Sequence, residues 1–165
     1  MAQEKKSIYE KIKNELSEKG FKIESFDFDR PWGGFFVIEE HQILKFVEQY
    51  FPEIAIEELK ITQKLSPKIL VVAPNKRLSW QYHDRRAEIW RVISGPVAVA
   101  TSNTNIEAEI HTYQVGNLIK LEQGERHRLI GLEGWGIVAE IWQHTNSQNP
   151  SDEDDIYRLQ DDFGR

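Results

Sequence analysis

No cysteine occurs anywhere in the chain. That excludes disulfides, thiolate nucleophiles and thiolate-built metal sites, and leaves any metal chemistry to nitrogen and oxygen donors. Long apolar runs are lacking as well. The longest, such as Ile69-Leu70-Val71-Val72-Ala73, are strand-sized and far short of a membrane span. No apolar segment follows the opening Met1-Ala2-Gln3-Glu4-Lys5-Lys6, so no signal peptide is expected and a cytoplasmic location without a membrane partner is the default. A basic excess is also missing. Acidic residues outnumber basic ones 27 to 21, a net charge of −6, which argues against nucleic acid, a partner that demands a dense basic surface. A small anionic ligand stays compatible, because a few arginines in one pocket bind phosphate whatever the total charge. A glycine-rich phosphate loop is absent: Gly131, Gly134 and Gly136 have neither the spacing nor the following helix.

What is there suits one domain of 165 residues with appendages. Ile8, Ile12 and Leu16 recur at helical spacing from Ser7 to Lys19, and Gly20 is placed to stop that helix. The apolar stripe is narrow, so the helix is expected to pack on the rim of a larger body or to serve a dimer contact. Phe35-Phe36-Val37-Ile38 reads as strand, whereas 41–50 fits helix or strand. From Ile69 onward the period shifts towards two. Segments 69–72, 78–82, 88–93, 97–101, 108–113, 117–121, 127–132 and 137–142 are expected strands, punctuated by Pro74-Asn75, Ser94-Gly95-Pro96, Gln123-Gly124 and Glu133-Gly134. Short strands with turns every eight to twelve residues predict an all-β jelly roll. The acidic run Ser151-Asp152-Glu153-Asp154-Asp155 is read as opening a final short helical segment.

Chemistry concentrates in Gln81-Tyr82-His83, Glu88 and His127. Gln81 and His83 are two apart, so on a strand they share a face. Asp84-Arg85-Arg86 reads as a tight reversal, after which Glu88, Trp90 and Val92 line one face of the next strand. Gly124 lets the backbone turn ahead of His127. Two imidazoles, a carboxylate and an amide oxygen suit one divalent ion, zinc first, with Mn, Fe or Ni as alternatives. The competing reading is that His83 and His127 are ordinary barrel histidines. His41, His111 and His144 have no motif partners and read as surface or internally satisfied residues. The five tryptophans read as packing rather than a carbohydrate platform.

These residues carry a family resemblance. The spacing of Gln81, His83, Glu88 and Gly95, followed by Gly116, Gly124 and His127, resembles the two metal-binding motifs of the cupin superfamily. More narrowly, the chain resembles the cupin domain of type II phosphomannose isomerases, usually fused behind a mannose-1-phosphate guanylyltransferase domain. Arg30-Pro31-Trp32-Gly33, Leu78-Ser79-Trp80-Gln81-Tyr82-His83, Arg86-Ala87-Glu88-Ile89-Trp90, Gly124-Glu125-Arg126-His127-Arg128-Leu129 and the closing Glu153-Asp154-Asp155-Ile156-Tyr157-Arg158 with Asp162-Phe163-Gly164-Arg165 match in order. The resemblance implies a cupin double-stranded β-helix over 29–165, with 1–28 as a helical appendage. The departures are Ile89 where the family has His, Glu122 where it has Pro, an altered stretch between Trp142 and Glu153, and no guanylyltransferase domain in this chain.

The resemblance further implies a metal-dependent aldose–ketose isomerase. Its expected substrate is a small-molecule sugar phosphate, mannose 6-phosphate going to fructose 6-phosphate through an enediolate. Glu140 stands where the family has a glutamate and is the expected acid/base; pairing with an arginine is the alternative. Arg86 and Arg128 flank the metal motifs as expected partners of phosphate or enediolate, with a solvent-facing hairpin position as the alternative for Arg86. Arg158 and Arg165 would reach over the barrel mouth to substrate, or pair with the 152–155 acidic run. A homodimer is compatible with the family. The competing class is a sugar-binding cupin without turnover, or a metal cupin running epimerase or dioxygenase chemistry.

Overall fold

The computed structural model describes residues 2–60 and 64–164. It opens on helix α1 (Ala2–Glu18), followed by strands β1 (Ile23–Asp27) and β2 (Gly33–Ile38), a single 3-10 turn (Glu40–Gln42), and helices α2 (Ile43–Tyr50) and α3 (Ile56–Leu59). Nine strands follow: β3 (Lys68–Val72), β4 (Trp80–Tyr82), β5 (Arg86–Ser94), β6 (Val97–Ser102), β7 (Glu109–Tyr113), β8 (Leu118–Leu121), β9 (Arg126–Gly131), β10 (Gly136–His144) and β11 (Tyr157–Gln160). Every pairing is antiparallel. One sheet runs β1-β2-β3-β10-β5-β8 and the other β11-β4-β9-β6-β7. This is a jelly roll of the expected all-β class with helical additions.

The central strands β3, β10 and β5 of the six-stranded sheet are buried on both sides, and strand alternation sorts their residues cleanly. Leu70, Val72, Trp90, Val92 and Val138 turn inward against Val97, Val99 and Leu129 of the second sheet, with Ile119 and Leu121 of β8 closing the same core. Ile69, Val71, Ile89, Ile137, Ala139 and Ile141 turn outward. There Ile12 and Leu16 of α1, and Ile43, Phe46, Val47 and Tyr50 of α2, cover them. The apolar residues of 43–50 fall at helical spacing, which settles that segment as helix rather than strand. Each fully buried aliphatic or aromatic side chain contributes about 1.5–3 kcal/mol, so this outer layer is a second core and not a loose rim. Ile89, the departure from the family's histidine, belongs to it. Its side chain faces the helices, on the opposite side of β5 from Glu88.

Two sequence expectations change. The closing acidic segment is not helical: 153–154 form a turn, and Tyr157–Gln160 adds to β4 as an edge strand. Strand β1, unforeseen, pairs with β2 across residue 28, where the appendage was expected to end. Among the described residues no helix is long and apolar enough to cross a membrane.

Candidate metal centre

Strand alternation brings Glu88, Trp90, Glu140, Trp142 and Lys68 to the inner face of one sheet. Trp142 lies opposite Glu88, Glu140 opposite Trp90, and Lys68 opposite Glu140. From the other sheet, Gln81 pairs directly with His127. The turn that delivers His127 depends on Gly124, whose φ of +80° suits glycine and whose N–H donates to the His83 carbonyl at 2.9 Å. The end of β4 and the start of β9 are thereby tied together.

His83, Glu88 and His127 are all buried, and one ligand atom from each lies within 4.8 Å of the others. His83 Nδ1 donates to the Asp155 carbonyl at 2.7 Å, and His127 Nδ1 to the Glu125 carbonyl at 3.1 Å. Both backbone bonds assign the proton to Nδ1 and leave the Nε2 lone pair facing the centre. Each Nε2 is 3.4 Å from a different oxygen of Glu88. His127 Nε2 and Glu88 Oε1 are buried with no hydrogen-bond partner. Two orphaned acceptors aimed at one point are costly unless a cation joins them, and these donors fit a divalent ion. Gln81 lines the adjoining cavity, and its Oε1 accepts the Ser79 hydroxyl at 2.6 Å.

Arg86 is not in solvent. It is buried, its Nε donates to Glu88 Oε2 at 2.8 Å, one Nη donates to Ser151 Oγ and the Asp152 carbonyl, and the other to His83 Nε2 at 3.2 Å. Its guanidinium also stacks 3.6 Å over the Trp142 ring. The last of its hydrogen bonds must be released for His83 to ligate a cation. Burial opposes ionisation of Glu88, but the groups facing it, with the Arg86 guanidinium as their permanent charge, hold its carboxyl well below the usual range. Burial pushes the His83 imidazole down to about 3, so at neutral pH His83 is neutral and Arg86 is the cation that keeps Glu88 ionised.

Glu140 behaves oppositely. Among the described residues no arginine pairs with it; instead Trp90 Nε1 and Trp142 Nε1 each donate to one of its oxygens, at 2.8 and 2.9 Å. Burial, then the charge of Glu88, raises its pKa to about 8. Two carboxylates on one wall are thus held in different protonation states. The cavity they share, about 440 Å³, is also lined by Arg30, Trp32, Phe35, Lys68, Glu153 and Arg158.

The structure does not bring Arg128 to this cavity. It follows His127 on β9 and so turns the other way, donating to the Leu78 carbonyl, Glu107 and Gln160. It acts as a clamp between β11 and the segment leading into β4. Arg158 does reach the cavity, opposite Gln81 on β4. Arg165 lies outside the described residues. Sequence reading missed Lys68, although its spacing from Leu70 and Val72 signals an inward position. It also missed Asp155, whose carboxylate receives the Asp84 and Arg85 N–H groups and the Ser151 hydroxyl.

His144 is buried and satisfied rather than a ligand. Ser151 N–H donates to Nδ1 at 2.9 Å, so Nε2 carries the proton to Ser66 Oγ at 2.8 Å. Burial, then nearby Lys64 and Arg86, lowers its pKa from 6.5 to about 4. Between those values the unfolded chain binds a proton that the native state refuses. Stability therefore falls as pH drops through that window and levels below it. Urea unfolding of His144→Gln across the same range is expected to show a pH slope shallower by about one proton; an unchanged slope would mean that His144 is not held neutral.

A jelly roll with two histidines and a glutamate converging between its sheets is a cupin-type domain with a candidate metal site. The chain belongs to the family described as mannose-6-phosphate isomerase C-terminal, which it matches over residues 39–161. Among curated relatives, a mannose-1-phosphate guanylyltransferase of Salmonella montevideo is 28% identical over 163 residues, 99% of this chain and 28% of that protein. The xanthan biosynthesis protein XanB of Xanthomonas campestris pv. campestris is 32% identical over 116 residues, 70% of this chain and 23% of that protein. The chain thus spans about a quarter of the length of these relatives. Among solved structures, the capsular polysaccharide assembling protein CapF of Staphylococcus aureus shares the fold at a TM-score of 0.53 and 14% identity, over 85% of this chain and 34% of that one.

Proposed function

We propose that this domain is a metal-dependent aldose–ketose isomerase acting on a sugar phosphate, mannose 6-phosphate to fructose 6-phosphate first among the candidates. The observation that carries the reading is the pairing of two buried carboxylates in one cavity. Glu88 is held ionised among imidazoles, and Glu140 is raised to about 8 between two indole N–H groups. His83, Glu88 and His127, with Gln81 beside them, would hold the ion, zinc first. A divalent cation there supplies Lewis-acid stabilisation of negative charge on the sugar's carbonyl and hydroxyl oxygens.

The chain's own residues account for the proton. Isomerisation needs a group that removes hydrogen from the carbon beside a carbonyl and returns it to the neighbouring carbon. Such a group works best with a pKa near the operating pH, which burial gives Glu140. Its two indole donors fix the orientation of the carboxylate, and burial with the charge of Glu88 outweighs the opposing charges of Lys68 and Arg86. Trp90 and Trp142 also wall that carboxylate against bulk water. Arg86 supports Glu88 and closes the floor. The family match and the name of the Salmonella montevideo relative, which concern mannose phosphates, support the substrate class.

The test is a coupled assay of mannose 6-phosphate and a small panel of other aldose phosphates, with metal-loaded and chelated protein. Turnover that appears with metal and disappears with chelator is expected. Metal binding with no turnover of any sugar phosphate would favour a ligand-binding cupin instead.

A further inference from the structure

Lys68 is a buried cation with an exposed counter-ion. Its side chain is 7% exposed, and it pairs with Glu153, whose side chain is 60% exposed on the turn before β11. A buried ammonium cannot rely on water and depends on whatever anion reaches it. Two rings hold it in place, Trp142 with its centroid 4.2 Å from Nζ and Phe35 at 4.8 Å. The cation is therefore fixed, and the anion sits at the rim.

Register supplies the location. Lys68 on β3 lies opposite Glu140 on β10, and Trp142 on β10 lies opposite Glu88 on β5. Lys68 and the metal-ligand strand are two strand spacings apart, about 10 Å, along a wall of the same cavity. An open-chain hexose with its carbonyl end at Glu88 places its far end near that ammonium. Of the other cations lining the cavity, Arg86 is committed to Glu88 and the 151–152 segment, Arg30 pairs with Asp27, and Arg158 stands on β11 of the opposite sheet, across from Gln81.

We propose that Lys68 is an anion-binding residue of this cavity, and that Glu153 occupies its ammonium until the phosphoryl group of a sugar phosphate displaces it. This rests on the sugar-phosphate reading given above. The exchange is favourable in both halves. A dianionic phosphoryl group is a stronger partner for the buried ammonium than one carboxylate, and Glu153 regains full hydration from a half-open position at little cost.

Calorimetric binding of mannose 6-phosphate and of mannose to metal-loaded protein tests it without requiring turnover. Lys68→Met is expected to weaken mannose 6-phosphate about ten- to a hundredfold, the range of one charged hydrogen bond, while leaving mannose unchanged. Glu153→Gln is expected to tighten mannose 6-phosphate roughly two- to fivefold by removing the competitor. A folded Lys68→Met protein that weakens both sugars equally overturns the proposal. Should Lys68→Met fail to fold, Glu153→Gln decides: tighter binding supports the proposal, and unchanged or weaker binding overturns it. Binding that follows the expected pattern without any isomerisation would sink the isomerase reading and leave Lys68 in its role.

Discussion

Glu140→Gln is expected to retain metal and to bind mannose 6-phosphate as the wild type does, while kcat falls about 10²- to 10⁴-fold, the usual worth of a positioned acid/base. The amide has the shape of the carboxyl, and its oxygen still accepts one of the two indole N–H groups. What it cannot do is take a proton. KM should change little, because nothing assigns Glu140 to holding the sugar. The fold should survive as well. Replacing a buried carboxyl whose pKa stands at about 8 removes a group that already resists ionisation. The amide's own N–H₂ will face one indole N–H, a local cost smaller than the inner core around it. Steady-state kinetics with a metal analysis on the same preparation check this. A variant that loses metal along with activity would make Glu140 part of the metal centre rather than the proton carrier.

His127→Ala is expected to reduce bound metal from about one ion per chain to almost none, and His83→Ala to do the same, with the barrel still folded. The ligand strands are held by other interactions. Leu129, two residues beyond His127, is fully buried between the sheets, and β9 is zipped to β6 from Val97↔Gly131 to Ser102↔Arg126. Glu88 keeps its bond to Arg86 Nε at 2.8 Å when an imidazole is lost, so no uncompensated charge is left behind. This differs from a zinc finger, in which metal binding and folding are one event. Elemental analysis with far-ultraviolet circular dichroism, before and after chelation, separates the two effects. Collapse of the β-sheet signal on chelation would show that the metal is structural.

The clustering of His83, Glu88 and His127 was legible in the sequence because its information is local. Two residues apart on a strand share a face, and a glycine in the turn three residues ahead brings His127 back inward. The same alternation also carried the fate of Arg128, its neighbour on the other face, which the family motif alone had suggested for substrate. Glu140 was identifiable, but not its indole partners, since Trp90 and Trp142 meet it only through the β5–β10 register. The tail misled because an acidic run resembles a helix start, whereas Tyr157–Gln160 takes its conformation from the free edge of β4. Tertiary pairing, not propensity, decides such a segment. Ile89 shows the converse. A departure beside the metal motif in sequence is remote from it in space, and it lies among Ile141 and the helical layer.

The most direct test of the central claim is hydrogen exchange with solvent. Metal-loaded protein incubated with mannose 6-phosphate in deuterium oxide should form fructose 6-phosphate and deposit deuterium at carbon 1 or 2 of the sugar pool, and Glu140→Gln should slow both together. A wild-type protein that binds the metal and the sugar phosphate, yet returns the sugar unchanged with no deuterium at either carbon, would contradict the account.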